Sequence, residues 1–154
     1  MAKPAAPATE RPSLTLRRHY PVAAEKVWRA WTDPQALKAW FGPEEIVSVP
    51  LAEVDLRVGG RFRVTMLAAD GETHDVSGVY QELVPNRKLV FSWAWRSTPE
   101  RESRVTVRIE PEGNGCELVL MHEQFFDEAA RDGHNYGWTG AMVKLERWLA
   151  KAAE

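Results

Sequence analysis

Residues 130–149 read ARDGHNYGWTGAMVKLERWL. Ala130, His134, Gly137, Trp138, Ala141, Met142, Leu145, Trp148 and Leu149 recur at spacings of three and four, which places them on one stripe of an α-helix. Lys144, Glu146, Arg147 and Lys151 fall off that stripe. From Asp132 to Ala152 such a helix runs on the order of 30 Å at about 1.5 Å per residue, long enough to cross a small sheet. An apolar stripe of that length needs a broad surface to bury it, and the rest of the chain supplies one.

Upstream, alternation takes over. Leu14, Leu16 and Tyr20 share one parity against Thr15, Arg17 and His19, the pattern of a half-buried strand that Pro21 ends. A short helix follows from about Ala23 to Thr32, with Val27, Trp28 and Trp31 on one face. Asp33-Pro34 then restarts a second, with Asp as N-cap and Pro at the first helical position. That helix carries Leu37, Trp40 and Phe41, and Gly42-Pro43 stops it. Glu45 to Leu56 is extended, but Pro50 forces it to bulge or to lie at an edge. Gly59-Gly60, Asp70-Gly71, Pro85-Asn86 and Glu112-Gly113-Asn114-Gly115 punctuate the alternating runs that follow. The order is strand, two short helices, six strands in meander, one long helix. Sequential hairpins with helices at the chain's ends predict the α+β class: a curved antiparallel sheet of about seven strands wrapped on the C-terminal helix.

The chain has 154 residues, 44% of them hydrophobic and 27% charged, a globular composition. We read residues 13–154 as a single domain and residues 1–12, MAKPAAPATERP, as a flexible tail without the apolar core of a signal peptide. A net charge of -2 with interspersed signs speaks against nucleic-acid partners. No stretch is apolar for long enough to span a bilayer. Cys116 is the single cysteine, which excludes an internal disulfide and a Cys-based zinc cage, and a cytoplasmic location is expected. Seven Trp in such a chain imply either a bulky core or a lined cavity.

Five blocks carry a resemblance: VWRAWTDPQALKAWFGP (27–43), VDLRVGGRFRVTM (54–66), the Asp70-Gly71 turn, GVYQELVPNRKLVFSW (78–93) and HNYGWTGAMVKLERWL (134–149). Their joint order and spacing resemble the bacterial homologues of the heat shock protein 90 ATPase activator, within the START-like, helix-grip (SRPBCC) superfamily. The resemblance covers roughly Leu14 to Leu149. It implies a seven-stranded sheet, two small helices and a long C-terminal helix around an internal cavity. Members mostly have no assigned reaction. The eukaryotic relative has an additional chaperone-engaging domain for which this chain has no room.

The expected walls of that cavity come from both layers. From the strands we take Phe62, Val64, Met66 and Tyr80, then Phe91, Trp93, Val107 and Leu120, each on a face that parity turns inward. From the helices we take Trp31, Phe41, His134, Trp138 and Met142. Trp95 shares the parity of Trp93, and the surplus of indoles leaves Trp40 or Trp95 as candidates to face outward. His134 and Trp138, at i and i+4, stack on the sheet-facing side of the long helix. His134 either offers a polar contact to a ligand or bonds to a strand or loop. Gly133, Gly137 and Gly140 each cost about 1 kcal/mol against Ala inside a helix. Either a backbone approaches closely there or space is left open for a ligand.

No catalytic residue, metal or cofactor is assigned. His74 and His122, even with Asp75 or Glu123, match no metal-binding spacing, no GxSxG occurs, and Gly59-Gly60 opens a strand rather than a helix N-terminus. The function expected is therefore non-catalytic binding of a small lipophilic molecule. The alternatives are an interaction protein that regulates a chaperone ATPase, or a polyketide-cyclase-like enzyme built on His134 with Tyr80 or His122; the protein partners expected are a chaperone or a second copy of the chain.

Overall fold

The computed structural model describes residues 11–152. The expected tail therefore lies outside the described residues up to residue 10. Pro12 is already tied to the fold, its carbonyl accepting the Phe125 amide at 3.2 Å. The elements run β1 (Leu14–Tyr20), α1 (Ala24–Thr32), α2 (Pro34–Trp40), β2 (Ile46–Val54), β3 (Arg61–Ala68), β4 (Thr73–Val84), β5 (Lys88–Trp95), β6 (Ser103–Glu112), β7 (Gly115–Glu123) and α3 (Glu128–Ala152).

The strands form one curled, seven-stranded antiparallel sheet in the order β1-β7-β6-β5-β4-β3-β2. Five successive hairpins build β2 through β7, and β1 then pairs with β7 from Leu14↔His122 to Tyr20↔Cys116. The two edge strands are thus consecutive in the chain. The α1–α2 segment carries the chain from one edge to the other, which puts both short helices on the same side as α3. Pro50 meets both of its expectations: β2 is an edge strand, and its register with β3 shifts between Ser48 and Leu51. Between β4 and β5 the approach is so close at Gly78 that a Cβ there would stand 1.8 Å from the Ser92 carbonyl oxygen. Only glycine fits that position.

The short helices form as their caps predict. The Asp33 carboxylate accepts the Gln35 amide at 2.9 Å, with Pro34 at the first helical position. Helix α3 begins a turn earlier than the expected Asp132, at Glu128, because the Asp127 carboxylate accepts the Ala130 amide at 2.8 Å and caps it. Three anchors hold α3 on the rest. The Tyr20 hydroxyl donates to the Met142 carbonyl at 3.1 Å, and Arg147 pairs with Glu44 at 2.9 Å. At Gly140 the helix backbone packs so tightly that a Cβ would stand 3.2 Å from Pro43 Cα.

The core lies between the concave face and the three helices. Leu118, Leu120, Leu145 and Leu149 fill its floor, all essentially inaccessible. Trp40 does not face outward. It is fully buried, donating its indole N–H to the Ala30 carbonyl at 2.9 Å, because the helix bend at Asp33 folds α2 back over α1. Trp95 is half-buried, and Trp28 and Trp148 pack at the core's margin. No helix among the described residues is long and apolar enough to cross a membrane.

Candidate functional site

A cavity of about 450 Å³ opens between the N-terminal half of α3 and the sheet. Pockets that hold small molecules run about 300–1,000 Å³, so this volume is of the binding kind. Its aromatic walls are Phe41, Trp93, Trp95 and Trp138, and Met66, Ala68 and Ile46 close the side toward β2 and β3. Gly133 and Gly137 form the helix wall, where an added Cβ would meet nothing within 4 Å. The glycine question therefore divides: close packing explains Gly140, and open space explains the other two. Glu45, Asp70, His74 and Tyr136, all exposed, make the rim.

Two histidines, His122 buried and His134 half-buried, organise the indoles. An indole N–H can only donate, so its partners fix the imidazole tautomers. Trp95 and Trp93 both donate to His134 Nε2, at 2.9 and 3.2 Å. His134 Nδ1 must then carry the proton, which it donates to the Ala130 carbonyl at 2.7 Å. Trp138 donates to His122 Nδ1 at 3.0 Å, so His122 Nε2 carries the proton and donates to Ser103 Oγ at 2.7 Å. Ser103 reaches on to the Trp93 carbonyl at 3.4 Å. The two imidazoles lie 5.1 Å apart between ring centroids.

Both rings are held neutral. Burial pushes the His122 imidazole well below its ordinary range, and nearby His134 acts in the same direction. Burial likewise lowers His134, partly offset by its bond to the Ala130 carbonyl. Each acceptor nitrogen is already occupied by indole N–H groups. His134 thus resolves as a helix histidine bonded to a strand, contributing ring surface to the cavity rather than a free nitrogen. The histidine pair that a cyclase-like enzyme would need is close together, but neither lone pair is free to take a proton from a substrate.

Phe41, Met66, Trp93, His134 and Trp138 come together around this cavity. Trp31, Phe62, Val64, Tyr80 and Phe91 line a separate, inner space of about 20 Å³, with Phe41 shared between the two. That space is filled by ring contacts such as Phe62–Phe91, with centroids 5.1 Å apart. Burial drives the Tyr80 phenol far above its ordinary range, so it stays protonated. The Trp31 indole N–H is buried without a partner among the described residues. Val107, Leu120 and Met142 line neither space. They are core: all three are fully buried, and Met142 is fixed to β1 by Tyr20.

The rim and the wall residues Ile46 and Ala68 carry no functional assignment in the sequence. Glu45 and Asp70 are distant in sequence, and only the curl of the sheet brings the β3–β4 hairpin tip to the α2–β2 link. Parity would have found Ala68 beside Met66, and Gly133 and Gly137 were the visible trace of the helix wall.

A curled sheet closed by one long helix, with a lined space against that helix, is a helix-grip domain. Residues 21–150 match the family described as Activator of Hsp90 ATPase homolog 1-like protein, and the chain belongs to that family. Solved structures agree with the assignment. The AHSA1 protein from Silicibacter pomeroyi is 31% identical with a TM-score of 0.82, covering 92% of this chain and 99% of that one. A protein from Chromobacterium violaceum is 28% identical with a TM-score of 0.80, over 89% of this chain and 96% of its own. CalU16 from Micromonospora echinospora is 32% identical with a TM-score of 0.66, over 86% of this chain and 73% of its own. Among curated proteins none matches the chain.

Proposed function

We propose that this protein binds a small lipophilic molecule, without transforming it, in the cavity between α3 and strands β3 and β5. The observation that carries the reading is the helix wall. Gly133 and Gly137 leave room for a side chain, yet the helix forgoes the stability that alanine would bring there. Open space kept at a cost in stability is what a binding cavity requires. The apolar lining supplies the driving force, and Phe41, Trp93 and Trp138 supply rigid aromatic surface at little entropic cost. The residues proposed to touch the ligand are Phe41, Met66, Trp93, His134 and Trp138, together with Trp95.

The hydrogen bonds support binding over catalysis: the His134 nitrogens in the wall, and those of His122 behind it, are engaged by indoles, Ser103 and the Ala130 carbonyl. A thermal-shift and Trp-quenching screen of neutral hydrophobic metabolites tests this. Hits whose effect is lost when Gly137→Leu fills the cavity support it. Hits that survive Gly137→Leu with unchanged affinity contradict it.

Family membership carries a second reading, regulation of a chaperone ATPase, with the chaperone or a second copy of this chain as protein partner. A chaperone ATPase rate unchanged by added protein would count against it. In either role the protein would act in the cytoplasm, where the buried, unpaired Cys116 stays reduced.

A further inference from the structure

The hydrogen bonds around the cavity also bear on the charge of its ligand, given that the cavity is a binding site. Every side-chain donor in the walls is committed. The Trp93 and Trp95 indoles donate to His134, Trp138 to His122, and His134 to the Ala130 carbonyl. At the rim the Tyr136 hydroxyl donates to Glu45. No Lys or Arg is among the described residues that line the cavity. Lys144 lies behind the rim, its ammonium held 3.3 Å from the Pro43 carbonyl and 3.5 Å from that of Phe41.

The positive end of α3 reaches the cavity through Ala129 and Ala130, but it is already answered. The Ala130 amide bonds the Asp127 carboxylate, the Arg131 amide bonds the Asp127 carbonyl, and Glu128 adds a second carboxylate to the first turn. An entering anion would therefore be desolvated with no cationic side chain in the lining and only the His74 imidazole at the rim among the uncommitted side-chain donors.

Apart from the His74 imidazole, what remains uncommitted on the rim side chains is of the opposite polarity. Glu45 keeps a carboxylate at the rim, and Asp70 faces it with one oxygen free of the Glu72 amide. His74 is the other titratable group on the rim, edge-on to Trp95. Inside, Trp93, Trp95, Trp138 and Phe41 make the lining aromatic, and aromatic faces carry negative π-density. Aromatic faces under an acidic rim favour a cation.

We propose that the cavity selects by charge, taking a lipophilic ammonium, an apolar body with a cationic hydrogen-bond-donating end, in preference to the matching carboxylate. The rings hold the body, and Glu45 and Asp70 receive the charged end at the mouth.

The test is calorimetric titration of the whole protein at pH 8 with three probes of one shape: 1-naphthylmethylammonium, 1-naphthylmethanol and 1-naphthylacetate. The neutral alcohol reports on the cavity itself, and the charged pair reports on selectivity. The ammonium is expected to bind about tenfold more tightly than the carboxylate at low salt, with the preference shrinking as salt is raised. The double variant Glu45→Gln/Asp70→Asn, both positions exposed, should cut that preference several-fold, and a preference that stays the same overturns the assignment of the charged end to this rim. A carboxylate that binds as tightly as the ammonium, while the alcohol binds, overturns the charge selectivity and leaves the cavity reading standing. If none of the three binds, the cavity reading falls and the selectivity falls with it.

Discussion

Replacing Gly133 and Gly137 together by alanine should make the protein more stable and its ligand site worse. Each is a helix-interior glycine whose added Cβ would meet nothing within 4 Å. Such a Gly→Ala change gains about 0.4–1 kcal/mol, largely through the unfolded chain. The pair should therefore gain about 1–2 kcal/mol, twice the single-site value, with the coupling between these i, i+4 neighbours read from the two single variants. At about 2–4 °C per kcal/mol for a domain of this size, the midpoint should rise by about 2–8 °C. Urea unfolding reads it directly: the midpoint concentration rises while the slope stays constant. Gly140→Ala is the internal control, because its Cβ would stand 3.2 and 3.3 Å from Pro43 and would offset the gain. The same two methyl groups intrude on a cavity of about 450 Å³, so affinity for a ligand filling it should fall about tenfold, the scale of one methylene's misfit. A destabilised double variant, or a Gly140→Ala that stabilises equally, would refute the assignment of open space at one pair and close packing at the other.

His134→Leu strands the indole N–H groups of Trp93 and Trp95 and should cost about 2–4 kcal/mol, at roughly 1–3 kcal/mol for each orphaned donor, measured by the same unfolding curves. Stability should also fall with acid in a defined window. His122 and His134 are both lowered by burial, so below the ordinary imidazole value near 6.5 the unfolded state takes up protons that the folded state does not. Their contribution is intact above about pH 6.5 and is lost at about 1.4 kcal/mol per pH unit for each histidine as pH drops toward its folded value. Asp33 and Asp75, lowered chiefly by the Gln35 amide and by the Arg63 guanidinium, respond only further down, near the carboxylate range. A flat urea midpoint between pH 6.5 and 5 would contradict the neutral histidine network. Trp40→Phe should destabilise more than Trp31→Phe by at least about 1 kcal/mol. The volume lost is the same, but Trp40 gives up a bond to Ala30 while Trp31 sheds an unpartnered N–H.

The architecture was legible because it rests on periodicity and on turn chemistry. The α3 stripe, the Asp33-Pro34 restart, the Pro50 irregularity and the glycine turns each follow from local sterics, and each lies where the sequence places it. The start of α3 was missed by a turn because Asp127 follows a strand with only a short link, and a cap is silent until its helix is recognised. The site was legible in part. Strand parity tells which residues turn inward, so Phe62, Val64, Trp93, Val107 and Leu120 all do. It does not tell how far the helix stands from the sheet at each level. The space beside the helix, open at Gly133 and Gly137 and closed by Pro43 at Gly140, sets Trp93 at a cavity wall apart from Val107 and Leu120 in solid core. The histidines were ambiguous for a related reason. Their roles depend on the indoles of β5 and α3, which meet them only across the fold.

The seven indole N–H groups are built-in reporters of the central claim that the space beneath Gly133 and Gly137 takes a lipophilic molecule. Their resonances can be assigned by single Trp→Phe variants and followed in a ¹⁵N–¹H NMR titration with 1-naphthylmethanol. The resonances of Trp93, Trp95 and Trp138, which line the cavity, should shift saturably, while those of Trp28 and Trp148, which do not, stay in place. Saturable shifts confined to Trp28 and Trp148, or no shift in any indole up to the solubility of the probe, would contradict it.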